Sequence, residues 1–116
     1  MKKFLAIYLG SPEALANYRA QDEEVRKEKD AAGMTAWMKW SQDNASSIVD
    51  MGSPLGQTKR IDANGISDTH NDLGAFMVVQ AESADDAAKL FIDHPHFTVF
   101  PGESVEVIEC LPMPGM

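Results

Sequence analysis

The sequence predicts an α+β domain in which a four-stranded antiparallel sheet carries helices on one face. Two observations support this. First, Phe4-Leu5-Ala6-Ile7-Tyr8-Leu9 and Ala75-Phe76-Met77-Val78-Val79 are apolar at every position. The other two strand-like segments, Gln57-Thr58-Lys59-Arg60-Ile61 and Ser104-Val105-Glu106-Val107-Ile108-Glu109-Cys110-Leu111, are polar or broken by carboxylates. Continuous apolar runs mark strands buried on both faces, whereas charged ones mark edges. Second, the elements run strand, helices, strand, strand, helix, strand. Two right-handed crossovers then give the sheet order 4-1-3-2, which puts both all-apolar strands in the centre.

The first strand ends at Gly10. Ser11 then offers an N-cap, Pro12 suits the first helical position, and Glu13 sits beside the positive helix end. Residues 14–29 read as helix, broken near Gln21-Asp22 and punctuated by Gly33. A second helix is expected over residues 34–49. There Met34, Trp37, Met38, Ser41, Ala45, Ile48 and Val49 recur at three- and four-residue steps. Gly52 and Pro54 are its stop signals. A polar strand over 56–62 follows, then a turn at Asp62-Ala63-Asn64-Gly65 and a polar loop, Ser67-Asp68-Thr69-His70-Asn71-Asp72. Beyond the central strand, Ser83 caps a helix with Asp86 three residues on, and His94-Pro95 is expected to stop it.

A chain of 116 residues is about one domain, here 1–116, and its composition of 44% hydrophobic and 24% charged residues is globular. The net charge of −8 argues against nucleic acid or an anionic membrane surface as a partner. No apolar run approaches the ~20 residues of a membrane span. The start does not read as a signal peptide, because the apolar stretch ends at Leu9 and meets Gly10-Ser11-Pro12-Glu13. The single Cys110 excludes an internal disulfide, and a cytoplasmic setting is expected. Both faces of the two central strands are apolar, so the face without helices needs a cover. A second copy packed sheet to sheet, making a homodimer, would supply it. The alternative is that the 34–49 segment wraps that face within one chain.

Several stretches are similar to the YCII-related proteins. They are Lys3-Phe4-Leu5-Ala6-Ile7-Tyr8, Trp37-Met38-Lys39-Trp40, the run Ile48-Val49-Asp50-Met51-Gly52-Ser53-Pro54-Leu55-Gly56, and Gly74-Ala75-Phe76-Met77-Val78-Val79-Gln80-Ala81-Glu82-Ser83-Ala84-Asp85-Asp86-Ala87. Asp93-His94-Pro95-His96 and the last strand, with Pro112-Met113-Pro114, complete the likeness. The resemblance implies a ferredoxin-like βαββαβ fold assembled as a dimeric α/β barrel. Some members of that family carry a His–Asp pair, and one branch resembles a dehydrochlorinase of chlorinated hydroxyquinols. In those relatives the histidine lies in the first helical region, whereas residues 11–33 here hold none. The Asp-Gly-Pro-Phe motif of another branch is replaced by Asn64-Gly65-Ile66-Ser67-Asp68.

Candidate chemistry rests on few side chains. His94 and His96, with Asp93, flank the end of the last helix. In an extended chain both imidazoles point the same way, as a two-His metal site with a third ligand from Asp50, Asp68 or His70 requires. The plainer reading is that His94 meets the negative end of its helix and His96 packs in the loop. Asp50 is a candidate acid or base if buried, and otherwise an aspartate bonded to its own turn. His70, beside Asp68 and Asp72, could act as a base or meet substrate; the plainer reading is a solvated loop. Trp37 and Trp40 could line an aromatic pocket with Tyr8 and Phe76, or be ordinary core. Cys110 reads as an inert packed thiol.

The expected function is a small homodimer that binds a small organic molecule between sheet and helices. Acid/base chemistry of the elimination or isomerisation kind would use His94, His96 and Asp50 and no organic cofactor. A non-catalytic interaction module is the alternative.

Overall fold

The computed structural model describes residues 1–115. Strand β1 (Lys2–Leu9) leads into α1 (Pro12–Arg19) and α2 (Glu23–Asp43), and a short 3₁₀ turn (Ala45–Ser47) into β2 (Ile48–Pro54). A hairpin of β3 (Thr58–Asp62) and β4 (Gly65–Thr69) precedes β5 (Leu73–Ala81), and α3 (Ala84–Lys89), α4 (Pro95–Thr98) and β6 (Ser104–Glu109) follow. The main sheet has the order β2-β5-β1-β6 and is antiparallel throughout. The two all-apolar strands lie in its centre, and the fold is ferredoxin-like α+β.

The N-terminal helix starts where the sequence predicts. Ser11 Oγ accepts the Ala14 N–H at 3.0 Å, and Pro12 opens α1. The break at Gln21-Asp22 is also present, with Asp22 capping α2 through the Glu24 N–H at 2.9 Å. Ser83 Oγ caps α3 through the Asp86 N–H at 3.1 Å.

Four expectations need correction. Gly33 does not interrupt a helix. It lies buried inside α2 with the Phe100 ring against its Cα, where a side chain would collide. The helix ends at Asp43, so Ile48 and Val49 belong to β2, and β2 rather than residues 56–62 is the sheet's outer strand. The core-facing stripe of α2 is accordingly Gly33, Trp37, Trp40 and Ser41, while Met34 and Met38 are exposed. The segment 67–72, expected as loop, supplies most of β4, which pairs only with β3. Finally, Pro95 does not end a helix but starts one, since it occupies the first position of α4.

The β2 edge departs from regular pairing. Ile48 faces Val79, Asp50 faces Val78 and Ser53 faces Phe76, with register shifts between each pair. Gly52 sits at φ 66° with its Cα pressed on the Phe76 carbonyl, a position closed to any side chain. Bulged edge strands admit the Gly and Pro that regular strands reject.

The core lies between the sheet and the helices. Phe4, Ala6, Tyr8, Met77, Val79 and Ala81 point inward, against Trp37 and Trp40 of α2 and Ala87, Leu90 and Phe91. Strand alternation sends Leu5, Ile7, Phe76 and Val78 to the other face, where Leu5 pairs with Val78 and Ile7 with Phe76. Because α2 sits on the inner face, it does not wrap this outer one. The molecule is flat, 54 × 44 × 18 Å, with a radius of gyration of 16.2 Å. A compact chain of this length would have about 13 Å.

Candidate functional site

The densest polar feature in the core is built around His94. Asp93, at φ 58°, turns the chain after α3 and delivers His94 to the N-cap of α4. His94 Nδ1 accepts the His96 N–H at 3.0 Å, and Nε2 lies 3.3 Å from the Tyr8 hydroxyl. A backbone N–H can only donate, so Nδ1 is bare and the proton is on Nε2, which donates to Tyr8 Oη. The Tyr8 O–H in turn faces Met77 Sδ at 4.0 Å. Every ring atom able to hydrogen-bond is therefore used.

Four aromatic rings enclose this imidazole. The centroids of Trp37 and Trp40 lie 4.4 and 4.5 Å from it, that of Tyr8 5.2 Å and that of Phe91 5.7 Å. Trp40 is fixed by its indole N–H, which donates to the Leu90 carbonyl at 2.9 Å. His94 is fully buried. Burial, followed by the charge of His96, pushes its pKa down from 6.5 to about 4. Burial likewise raises the Tyr8 hydroxyl well above its ordinary range.

His96 is only half-buried, 5.1 Å from the Tyr8 ring, and its Nε2 donates to the Leu9 carbonyl at 2.8 Å. Burial lowers its pKa, opposed by the carbonyls of Leu9 and Ser104. Gly102 lies flat on this imidazole and leaves no room for a Cβ.

The structure thus brings together Tyr8, Trp37, Trp40, His94 and His96. It does not bring in the other three candidates. Asp50 is exposed on β2, and its Oδ1 accepts the Gly52 N–H at 2.8 Å, the turn-bonded alternative rather than a buried acid. Phe76 faces the outer side of the sheet, opposite to Tyr8. His70 is exposed at the end of the hairpin, where it lines an open groove of about 380 Å³ with Thr58, Lys59, Asp68 and Asn71. Lys59 and Asp68 are ion-paired there. Cys110 is exposed rather than packed.

The two-His metal geometry does not form. His94-Pro95-His96 begins a helix instead of running extended, and both ring nitrogens of His94 are already engaged. Among the described residues no three His, Cys, Asp or Glu side chains gather as a metal site. Phe91 and Phe100 were absent from the sequence-based candidates. Phe91 follows α3 on its core side, and nothing in the pattern around Phe100 marked its contact with Gly33.

Fold and site define a class: a two-layer ferredoxin-like domain with a buried, helix-capping histidine in an aromatic box between sheet and helices. No family model matches the chain, and no curated protein matches it. Among solved structures it is similar to the 5-chloro-2-hydroxyhydroquinone dehydrochlorinase of Burkholderia phenoliruptrix in complex with 2,5-dihydroxybenzoquinone. The two share 21% identity over 90% of this chain and 89% of that one, with a TM-score of 0.51. At that identity the likeness establishes the fold. No helix among the described residues is long and apolar enough to cross a membrane.

Proposed function

We propose that this chain is a YCII-related protein whose two copies pack through their outer sheet faces and which binds a small hydroxylated aromatic molecule between sheet and helices. One observation carries the reading: Tyr8, Trp37, Trp40, His94 and His96, from β1, α2 and the α4 cap, converge in the same layer. Ligand sites combine apolar walls with a few convergent polar groups in this way. The bound molecule of the structural neighbour, 2,5-dihydroxybenzoquinone, is the oxidised counterpart of such a hydroxylated aromatic ring.

The residues divide by exposure. Trp37 and His96 are half-buried and supply the reachable wall. His96, whose pKa burial lowers, is the group assigned here to take and return a proton, as elimination or isomerisation requires. His94 is a positioning residue, since it holds the Tyr8 hydroxyl and caps the helix that carries His96.

The experiment is a thermal-shift scan against hydroxyquinols, small carboxylic acids and divalent metals, with His96→Gln beside the parent. A ligand stabilises the folded state by mass action, so a rise specific to hydroxylated aromatics and lost in H96Q supports the reading. No shift with any of these would favour the second reading, a non-catalytic interaction module. That reading draws on the same box, whose centre is occupied by the chain's own His94.

A further inference from the structure

Three rings surround Trp37: His94 at 4.4 Å, Tyr8 at 4.9 Å and Phe100 at 6.1 Å between centroids. Tyr8 and His94 are fully buried and joined by a hydrogen bond, so neither yields its place. Phe100 differs from both. It lies between α4 and β6, its ring is half-buried, and it carries no polar atom to fasten it. Its backbone, by contrast, is anchored: the Phe100 N–H donates to the Pro95 carbonyl at 2.9 Å and the Gly102 N–H to the His96 carbonyl at 2.8 Å. Rotation about the Phe100 side-chain bonds therefore moves the ring while the chain stays where it is.

Under that ring lies Gly33, buried in the middle of α2. Glycine weakens a helix interior relative to alanine, but a Cβ here would overlap the Phe100 ring at Cζ and both Cε atoms. Bare backbone thus floors a slot shaped for a flat ring, walled on one side by Trp37. We infer that Phe100 is the gate of the aromatic site: its ring fills, in the free protein, the slot that the ring of a hydroxylated aromatic ligand takes once Phe100 turns out. The inference rests on the proposed binding of such a molecule. His94 fills the centre of the box, so the ligand's ring needs another place beside Trp37, and Phe100 holds the one that can be vacated.

The test uses hydroquinone as probe, with proton NOE contacts of the parent measured free and saturated, and calorimetric titration of the parent and Phe100→Ala. Contacts from the Phe100 ring to the Gly33 α-protons should vanish on saturation, and contacts from hydroquinone to the same protons should replace them. Phe100→Ala should bind about tenfold tighter, because a slot open roughly a tenth of the time weakens apparent affinity tenfold. Far-UV circular dichroism checks that the variant folds, and the NOE measurement needs no variant. Gly33–Phe100 contacts that survive saturation overturn the gate and leave the binding reading standing. A folded Phe100→Ala that binds no tighter than the parent does the same. A parent that takes no hydroquinone at millimolar concentration overturns both.

Discussion

Acidification should destabilise this protein through one buried imidazole. His94 is neutral in the folded chain because its only unprotonated nitrogen, Nδ1, already accepts the His96 N–H, and because four aromatic rings exclude water. Its folded pKa of about 4 lies below the unfolded value of 6.5. Above pH 6.5 neither state is protonated and the histidine adds no pH dependence. As pH falls from 6.5 to 4 the unfolded chain takes up a proton that the folded chain refuses, so stability falls. Below pH 4 both states are charged and the loss levels off. At 1.36 kcal/mol per unit, the change from pH 7 to pH 5 costs about 2 kcal/mol, and the full shift about 3 kcal/mol. The assay is urea unfolding at pH 7, 6 and 5 for the parent and His94→Gln, whose amide does not titrate. The parent should lose about 2 kcal/mol more than the variant over that range. Equal pH slopes in the two proteins, or an imidazole signal from His94 that titrates near 6.5 by NMR, would refute the reasoning.

Other outcomes follow from the same contacts. Tyr8→Phe strands the His94 Nε2 donor in the core and should cost about 1–3 kcal/mol in chemical denaturation. Gly33→Ala gains roughly 1 kcal/mol of helix propensity yet should destabilise on balance, because overpacking against Phe100 costs about 1–3 kcal/mol. Ser41 is buried with no partner for its hydroxyl, so Ser41→Ala should raise the melting temperature, with unfolding free energy up by about 1 kcal/mol. Trp40→Phe leaves the Leu90 carbonyl without its donor and should cost about 1–2 kcal/mol, read by urea titration.

The central sheet was legible because apolar continuity reports burial on both faces, and β1 and β5 have it. The caps at Ser11 and Ser83 were legible because capping is local chemistry. The identity of the outer strand was not. Ile48 and Val49 continue the spacing of the preceding helix, and Gly52 and Pro54 look like termination until the β5 backbone is seen beside them. Pro95 was ambiguous for a related reason: a proline both ends one helix and opens the next, and only the turn at Asp93 decides. In the site, Tyr8, Trp37, Trp40, His94 and His96 were picked by residue type and do meet. Asp50, Phe76 and His70 were picked by the same logic and do not. Which face of a strand a residue takes depends on register, and the Ile7–Phe76 pairing sends Phe76 outward.

The irregular β2 edge limits how copies of this protein can add to one another. A straight outer strand offers a ladder of unpaired amides on which another sheet can grow, strand upon strand, without end. Here two bulges and Pro54 bend that ladder out of true. At the opposite border, β6 carries Glu106, which would meet a like charge on a twin strand laid alongside, and Glu109, whose charge is paired with Lys2 at 3.3 Å. Growth along the sheet is thus spoiled at one border and repelled at the other. In the proposed sheet-to-sheet arrangement only the broad face is used, and faces related by a two-fold axis pair once and are finished. The same kinks that hid the strand in the sequence make it a poor template for a further strand.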